Sequence, residues 1–274
     1  MTNQNVNIMA LDDGYGDMKY FTGFKKGIIP SFVTTFKPRP KDTLTNKPQT
    51  KSSYIASQIR GQKYVIGDYA MKLDPNIHWT GGEKKHEDER FPILLKSTLG
   101  LMSTHHKQTV DLLMMNLPIN YDTAQRREYL ESIVCGAHNV SVSYDGNHFI
   151  DKEILVKQVA IKKQPFGSFC EVILNHNGHI INKDIAKGFN IIVDIGARTL
   201  NILTLEALEE QPELTIQTND GMFAAYKQIG NFLEKELGVM IPDGKLPQII
   251  KEREIKNKDI SPLINRSYKN HANT

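Results

Sequence analysis

Two short stretches of the sequence, far apart in the chain, share an apolar run that ends in an aspartate followed two positions later by a glycine. The first, IMALDDGYGDMKY, contains Asp12 and Gly14, and the second, NIIVDIGARTLNIL, contains Asp194 and Gly196. Both pairs are related by the same offset of 182 residues. The recurrence predicts two related halves that carry the same chemical motif.

The residue types in these motifs are suited to binding a polyphosphate together with a metal ion. A tight turn rich in glycine lets backbone N–H groups point at one spot with no Cβ in the way. Carboxylates repel phosphate, but Mg²⁺ is commonly held by one or two carboxylates plus phosphate oxygens. We therefore predict that Asp12 and Asp194 hold Mg²⁺, directly or through water, and that Lys19 adds a positive charge. The alternative is that each aspartate only ends its strand through an Asx turn, which explains one hairpin more easily than two in the same register.

The hydrophobic pattern around the motifs predicts an α/β fold with two related halves. Alternation near the start of the sequence predicts an antiparallel meander, with strands at 8–11, 18–21 and about 28–36. Apolar residues at helical spacing predict a helix over 91–102 that lies on a sheet, and another that is opened by Asn219 or Asp220 and ended by Gly238. Further expected elements are a strand within 111–120 that is buried on both faces, a helix from Asp122 or Thr123 to about 137, a strand at 154–161 and a helix at 168–176.

Two charged segments are expected to lack packed structure. The stretch 37–53 is rich in Pro, Lys and Thr, which favours an exposed loop that is either simply solvated or a contact between protomers. The charged tail from residue 250 is expected to be only partly ordered.

Composition excludes several classes of function. The 274 residues allow two domains or one large one, and 34 Lys+Arg against 31 Asp+Glu give a net charge of only +3. This balance argues against direct nucleic-acid binding by bulk charge. No apolar stretch approaches the roughly 18 residues of a membrane span, and the N-terminus lacks signal-peptide features, so we expect a cytoplasmic protein with no membrane partner. Cys135 and Cys170 lack metal-ligand spacing and are expected to be reduced core residues.

Other site classes are not supported by the sequence. The histidine pairs at 105–106 and at 176 and 179 do not have the spacing of a zinc site with an acidic third ligand. The sequence has neither a Gly-x-Ser-x-Gly elbow nor a Walker-type loop that ends in Gly-Lys-Ser/Thr.

With these motifs in view, the sequence resembles the actin-like ATPases, in particular plasmid-segregation actins of the ParM type and their archaeal relatives. LDDGYGDMK is similar to the first phosphate motif of that family and VDIGARTLNI to the second. YVIGDYA, LLMMNLPIN and QPFGSF follow between them in the expected order. The resemblance implies an actin-like, ribonuclease H-like fold. Its first half would be 1–165, with a small outer subdomain at about 30–80, and 166–274 would begin the second half.

The resemblance also implies a function and a set of site residues. Members of the family bind ATP with Mg²⁺ between the two halves, hydrolyse it, and assemble into filaments that segregate plasmids or other cargo. The sequence leaves the choice between ATP and GTP open, and the resemblance allows a DNA-bound adaptor protein as a partner. By the match of KKQPFGS, Gln164 would position the attacking water, although it could instead be a surface glutamine before a proline. The catalytic set would be Gln164, Asp194 and Asp12. The nucleotide-binding set would be Asp12, Gly14, Tyr15, Gly16, Lys19, Asp194, Gly196, Ala197, Arg198 and Thr199.

The sequence departs from the family pattern in two ways. Ala197 and Arg198 stand where many members have small Gly or Thr residues, and Asn201 replaces a common acid. After Leu237, nothing resembles the Gly-rich turn that closes over adenosine, so we expect the second half to be incomplete and short at its C-terminal end. The alternative function is therefore a truncated, non-catalytic actin-like module that binds or regulates a full-length filament. A small-molecule kinase of the same superfamily is a third possibility, disfavoured because no acidic base is recognisable near a sugar pocket.

Overall fold

The computed structural model describes residues 6–39, 54–74, 77–80, 87–175 and 177–273. The loop predicted over 37–53 lies outside the described residues, apart from 37–39. Among the described residues, no helix is long and apolar enough to cross a membrane.

The first sheet is built around the strand that carries Asp12. Its strands are β1 (Ile8–Asp13), β2 (Asp17–Phe21), β3 (Lys26–Pro30), β8 (Leu112–Leu117) and β11 (Val159–Lys163). The strand order is β11-β8-β1-β2-β3, with β1, β2 and β3 antiparallel and β11, β8 and β1 parallel. The predicted antiparallel meander is confirmed, except that its third strand ends at Pro30.

One face of this sheet carries the main hydrophobic core. The helices α2 (Arg90–Met102) and α3 (Ala124–Val134) contribute to that core together with β1 and β8. Helix α2 matches its predicted span, and Thr123 caps α3 by accepting a hydrogen bond from the Arg126 N–H. The prediction that the strand within 111–120 is buried on both faces is wrong. Leu113, Met115 and Leu117 are fully buried, but the alternate residues of β8 are only partly covered.

A second sheet forms the outer part of this half and joins segments that are distant in the sequence. Its order is β4-β6-β5-β9-β10-β7. The elements of this layer are β4 (Val33–Thr35), β5 (Ile55–Ile59), β6 (Gln62–Ile66), α1 (Asp68–Leu73), β7 (Lys107–Val110), β9 (Gly136–Ser143) and β10 (Ile150–Val156). Aromatic residues such as Phe32, Tyr54 and Tyr69 fill a small core of its own. Because β7, β9 and β10 belong to the same sheet, this sheet includes residues outside 30–80, and the expected bounds of the outer subdomain stay a prediction.

The sheet that carries Asp194 is smaller. It comprises β12 (Phe189–Ile195), β13 (Leu200–Glu206), β14 (Glu209–Glu210) and β15 (Ile216–Thr218), in which β13 pairs antiparallel with each of the others. The helices α4 (Gln164–Ile173) and α5 (Lys183–Lys187) cover one face of it, through a core that includes Phe169 and Leu203. Helix α4 begins four residues before the predicted start at 168, because Pro165 fits the first turn of a helix.

The last part of the sequence packs as a separate helical cluster. Its elements are α6 (Met222–Leu237), α7 (Leu246–Glu252), the short hairpin β16 (Glu254–Ile255) with β17 (Lys258–Asp259), and α8 (Ser261–Ala272). Helix α6 ends as predicted at Gly238, whose φ of 64° is in the left-handed region. The prediction of a partly ordered tail is wrong, since Ile260 and Ile264 are buried against α6 and α7 in one apolar cluster.

Candidate functional site

The two aspartate motifs form hairpins with the same register. In the first, Asp12 pairs with Lys19, and in the second, Asp194 pairs with Asn201, so the partner lies seven residues on in both. Each aspartate is near the end of the first strand of its hairpin, where the backbone turns back. The recurrence seen in the sequence is therefore a recurrence of backbone geometry.

The first turn is held from behind by one residue. Ser31 donates its backbone N–H to the Gly16 carbonyl at 2.9 Å and its hydroxyl to the Gly14 carbonyl at 3.1 Å. A Cβ on Gly14 would lie 2.6 Å from the Asp17 carbonyl oxygen, so the turn has no room for a larger residue there. Because Ser31 holds the carbonyl oxygens in place, they are kept from turning towards a bound anion.

The second turn is held in the same manner by the start of helix α6. The N–H groups of Gly221, Met222 and Phe223 donate to the carbonyls of Arg198, Gly196 and Ala197 at 2.7 to 3.0 Å. A Cβ on Gly221 would lie 2.3 Å from the Arg198 carbonyl carbon, so this close approach requires glycine.

The two turns meet. A Cβ on Gly16 would come within 3.0 Å of the Ala197 Cβ, which puts the tips of the hairpins in direct contact. The loop between β8 and α3 also joins the halves, since the Asn120 N–H donates to the Gln217 side chain at 2.9 Å.

A polar network connects the two aspartates through Gln164. The Gln164 amide nitrogen donates to an Asp12 carboxylate oxygen at 3.4 Å, and its amide oxygen accepts from the Asn201 amide at 3.4 Å. Asn201, which is fully buried, lies opposite Asp194 in the second hairpin and accepts from the Ile119 N–H at 3.3 Å. On the solvent side, the Lys19 ammonium lies 3.6 Å from the Asp12 carboxylate. Both aspartates, the glutamine and the lysine therefore face one region.

The electrostatics of this region favour a cation. Burial raises the pKa of Asp194, and the negative charge of Asp12 raises it further, while Lys19 and the hydrogen bond from Asn201 lower it. Burial likewise raises the pKa of Asp17, to which Asp68 and Asp12 add. A divalent cation between Asp12 and Asp194 would relieve their repulsion, and two carboxylates are a donor set that Mg²⁺ accepts when phosphate completes it. The residues present thus fit a magnesium ion.

A cavity of about 1030 Å³ opens beside the two turns, which is large enough for a nucleotide-sized ligand. Gly16, Gly196 and Ala197 form one wall, and the outer layer of the first half faces α6 and α7 across it. The charged residues that line the cavity are of both signs: Asp17, Asp68, Lys72, Lys245 and Lys251. Trp79, the single tryptophan of the sequence, closes one side by packing on Phe223 with ring centroids 4.3 Å apart.

Comparison with known proteins identifies the family to which this protein belongs. Residues 10–167 match the N-terminal domain of actin-like proteins, and residues 192–274 match the C-terminal domain of the archaeal, MreB-like actin homologue. The chain belongs to the actin-like proteins. The family resemblance and the actin-like α/β fold expected from the sequence are confirmed.

Solved structures of other actin-like proteins share the fold at low sequence identity. The apo psk41 ParM protein matches with a TM-score of 0.69 at 21% identity, over 98% of this chain and 79% of that one. The archaeal actin homologue Ta0583 in complex with ADP gives 0.73 at 18% identity, over 98% and 79%. A 15-stranded ParM filament from Clostridium botulinum gives 0.76 at 18% identity, over 98% and 82%. A search among curated proteins found no match.

Not every residue of the predicted nucleotide-binding set presents its side chain to the cavity of this actin-like protein. The Tyr15 ring is buried against Tyr121, with centroids 6.4 Å apart, and the Arg198 guanidinium lies 5.7 Å from the centre of the Tyr15 ring. Burial, followed by the neighbouring Tyr121, raises the Tyr15 pKa well above its usual range. The Thr199 hydroxyl is buried and accepts from Asn201 at 3.1 Å. Tyr15 and Thr199 are therefore placed to support the turns from within.

Sequence reasoning misses several residues that shape the site. Asn201 stands out in the sequence only as a departure from the family pattern, yet it joins Gln164 to the second hairpin. Ser31, Gly221 and Trp79 give no signal in the sequence, because each acts by meeting a residue that is not its neighbour along the backbone.

Proposed function

We propose that this actin-like protein binds ATP or GTP with Mg²⁺ between its two aspartate hairpins and hydrolyses it. The observation that carries the proposal is that Gln164 hydrogen-bonds both to Asp12 in the first hairpin and to Asn201, the residue that pairs with Asp194 in the second. The two turns would hold the phosphates through backbone N–H groups, and the base would enter the adjoining cavity. Asp12 and Asp194 would hold Mg²⁺, which supplies positive charge to offset that of the phosphates.

Gln164 is proposed to orient the attacking water. Its amide nitrogen donates to Asp12 and its oxygen accepts from Asn201, which fixes the orientation of the amide. The amide oxygen has a second lone pair, which can accept a hydrogen bond from water. Positioning of this kind accounts for much of the catalysis in nucleotide hydrolysis, where the protein contributes mainly orientation and electrostatics.

The test compares nucleotide binding with turnover in the purified protein. We expect Gln164→Ala to bind ATP with Mg²⁺ within about threefold of the wild type and to hydrolyse it roughly a hundredfold more slowly. Gln158→Ala, a change of the same residue type between β10 and β11, should alter neither property. Absence of ATP and GTP binding at millimolar Mg²⁺ would contradict the proposal.

We further propose that the protein self-associates into filaments and acts in the cytoplasm in plasmid partition, through a DNA-bound adaptor. Support comes from the fold shared with the C. botulinum ParM filament. Light scattering and electron microscopy with ATP and Mg²⁺ test assembly. A protein that stays monomeric at tens of micromolar in the presence of ATP and Mg²⁺ would contradict self-association.

A second candidate function is a non-catalytic actin-like module that binds or regulates a full-length filament. The observation that favours it is the incomplete coverage of the Asp194 sheet, one face of which is exposed. This alternative predicts no nucleotide turnover and a change in the assembly rate of a full-length ParM when the protein is added below equimolar amounts.

A further inference from the structure

The tips of the two hairpins meet through two pairs of residues. At the offset of 182 residues that relates the hairpins, Tyr15 corresponds to Ala197 and Gly16 to Arg198. Gly16 lies against Ala197, and the Arg198 guanidinium lies 5.7 Å from the centre of the Tyr15 ring. Each turn therefore meets the other with the same two positions, but one pair is small and the other is large.

The two pairs also differ in their surroundings. Among the described residues, Gly16 and Ala197 line the cavity, and Tyr15 and Arg198 do not. Tyr15 is only 8% exposed, and its ring contacts both the Arg198 guanidinium and the ring of Tyr121. The small pair therefore leaves room for a ligand, and the large pair fills the part of the tip contact that the cavity does not reach.

Tyr15 and Arg198 complete a closed circuit of contacts between the hairpins. The Tyr15 ring lies edge-on to the Tyr121 ring, with centroids 6.4 Å apart. Tyr121 ends the short 3₁₀ turn that begins at Ile119, and the Ile119 N–H donates to Asn201 of the second hairpin at 3.3 Å. Arg198 belongs to that same hairpin. The second hairpin is therefore fixed to the first half both at its tip and on its returning strand.

The contact between Arg198 and Tyr15 is of a kind that is stronger in a buried site. A guanidinium within about 6 Å of the centre of an aromatic ring is attracted to the face of the ring, and more strongly where water is excluded. A second guanidinium, that of Arg126, lies 4.1 Å from the centre of the Tyr121 ring. The two stacked tyrosines thus carry a cation from each half of the protein.

The position of Gln164 depends on the distance between the hairpins. Its hydrogen bonds to Asp12 and to Asn201 are both 3.4 Å long, which is beyond the usual length of an N–H···O bond. Because a separation of about 3.6 Å no longer counts as a hydrogen bond, a small shift of either hairpin would break one of them. A contact that fixes the hairpin tips therefore also fixes the orientation of the Gln164 amide.

We propose that Arg198 and Tyr15 form a positioning contact for nucleotide hydrolysis, in which Arg198 acts through Tyr15 and neither side chain contacts the bound nucleotide. The inference rests on the proposed function, since it assigns these residues a role in turnover of that nucleotide. The equivalent residue of the first turn, Gly16, has no side chain that could reach across, so this contact can come only from the second turn.

Steady-state hydrolysis of ATP with Mg²⁺, or of GTP if the wild type prefers it, tests the proposal. We expect Arg198→Ala to lower kcat by about tenfold or more and to change KM by less than about threefold, because misplaced catalytic groups slow the reaction without removing a binding contact. Arg198→Lys keeps the positive charge and should restore part of the lost turnover. Arg266→Ala removes a guanidinium that lies 3.9 Å from the centre of the Phe232 ring, far from the hairpins, and should leave both constants unchanged.

Variants of Tyr15 test whether Arg198 acts through this ring. Tyr15→Phe keeps the ring and should keep kcat within about threefold of the wild type. Tyr15→Leu keeps an apolar side chain without a ring and should lower kcat as much as Arg198→Ala does. The double variant, Arg198→Ala with Tyr15→Leu, should be no more than about threefold slower than the slower single variant. If Tyr15→Leu does not fold, the Arg198 variants and Tyr15→Phe still decide the question.

The possible outcomes separate this inference from the proposed function. An unchanged kcat in Arg198→Ala, or losses that simply multiply in the double variant, would overturn the inference and leave nucleotide hydrolysis by the protein intact. A KM raised by more than about tenfold in Arg198→Ala but not in Tyr15→Leu would assign Arg198 to phosphate binding and also overturn it. A wild type that hydrolyses neither nucleotide would contradict the proposed function, and this inference with it.

Discussion

Strand β1 and strand β12 carry the same motif in the same hairpin register, but one lies in the middle of a five-stranded sheet and the other at the edge of a smaller one. Their comparison separates two things that usually occur together. The positions of Asp12 and Asp194 come from local turn geometry, which both halves have. The burial of the strand behind the aspartate comes from distant elements, which only the first half has among the described residues.

The largest expected difference between the halves is in how much equivalent apolar residues contribute to the free energy of unfolding. Leu11→Ala should lower the free energy of unfolding by about 3 kcal/mol, because it leaves a cavity in a packed core. Val193→Ala should lower it by no more than about 0.5 kcal/mol, since that side chain is largely in water. Urea unfolding of the two variants measures both values. Similar losses in the two variants would mean that β12 is covered in solution.

A smaller difference is expected between the partners of the two aspartates. Asn201→Ala should cost about 1 to 3 kcal/mol, because it leaves the part-buried Ile119 N–H and the buried Thr199 hydroxyl without their partner. Lys19→Ala should cost less than about 1 kcal/mol, because the lysine side chain is 57% exposed and its ion pair is screened by water. Thermal unfolding monitored by circular dichroism ranks the two variants. If Lys19→Ala proved the more destabilising, the second hairpin would not depend on the Asn201 network.

The smallest effect is a gain in stability that depends on pH. The folded-state pKa of Asp194 is raised, so its ionised form opposes folding above that pKa, and the penalty disappears as the carboxyl becomes protonated. Asp194→Asn should therefore stabilise the protein at pH 7 by less than about 1 kcal/mol. The gain should fade as the pH approaches the ordinary aspartate pKa of about 3.9. A gain of equal size at pH 7 and pH 4 would rule out relief of charge repulsion as its cause.

The sequence is sufficient to predict features set by local pattern. The two hairpins, helix α2 and the Gly238 end of α6 follow from alternation, helical spacing and glycine, all of which act within a few residues. The family resemblance places Gln164 and Asp12 in the same catalytic set but does not predict that they touch. The structure shows the hydrogen bond between them.

Features that depend on distant partners cannot be predicted from pattern. The outer sheet pairs β5 with β9, which are about eighty residues apart in the sequence. The hydrophobic periodicity of each strand does not indicate which strand it pairs with. The continuous apolar run of β8 predicts burial on both faces, but coverage depends on which helices lie over the strand. In the sequence, Asn201 is noticeable only because it replaces an acid that is common in the family. The sequence does not show the hydrogen bonds that its side chain makes in the folded protein.

The central claim is that the two hairpins form one site, and a double-mutant cycle on nucleotide affinity tests it most directly. Affinity for ATP at fixed Mg²⁺ would be measured by calorimetry for the wild type, Asp12→Ala, Asp194→Ala and the double variant. If both carboxylates act on one shared ion, each single change should remove most of the Mg²⁺-dependent affinity, and the double variant should be no more than about threefold weaker than the weaker single one. Losses that simply add, or a single variant that retains full affinity, would contradict a common site.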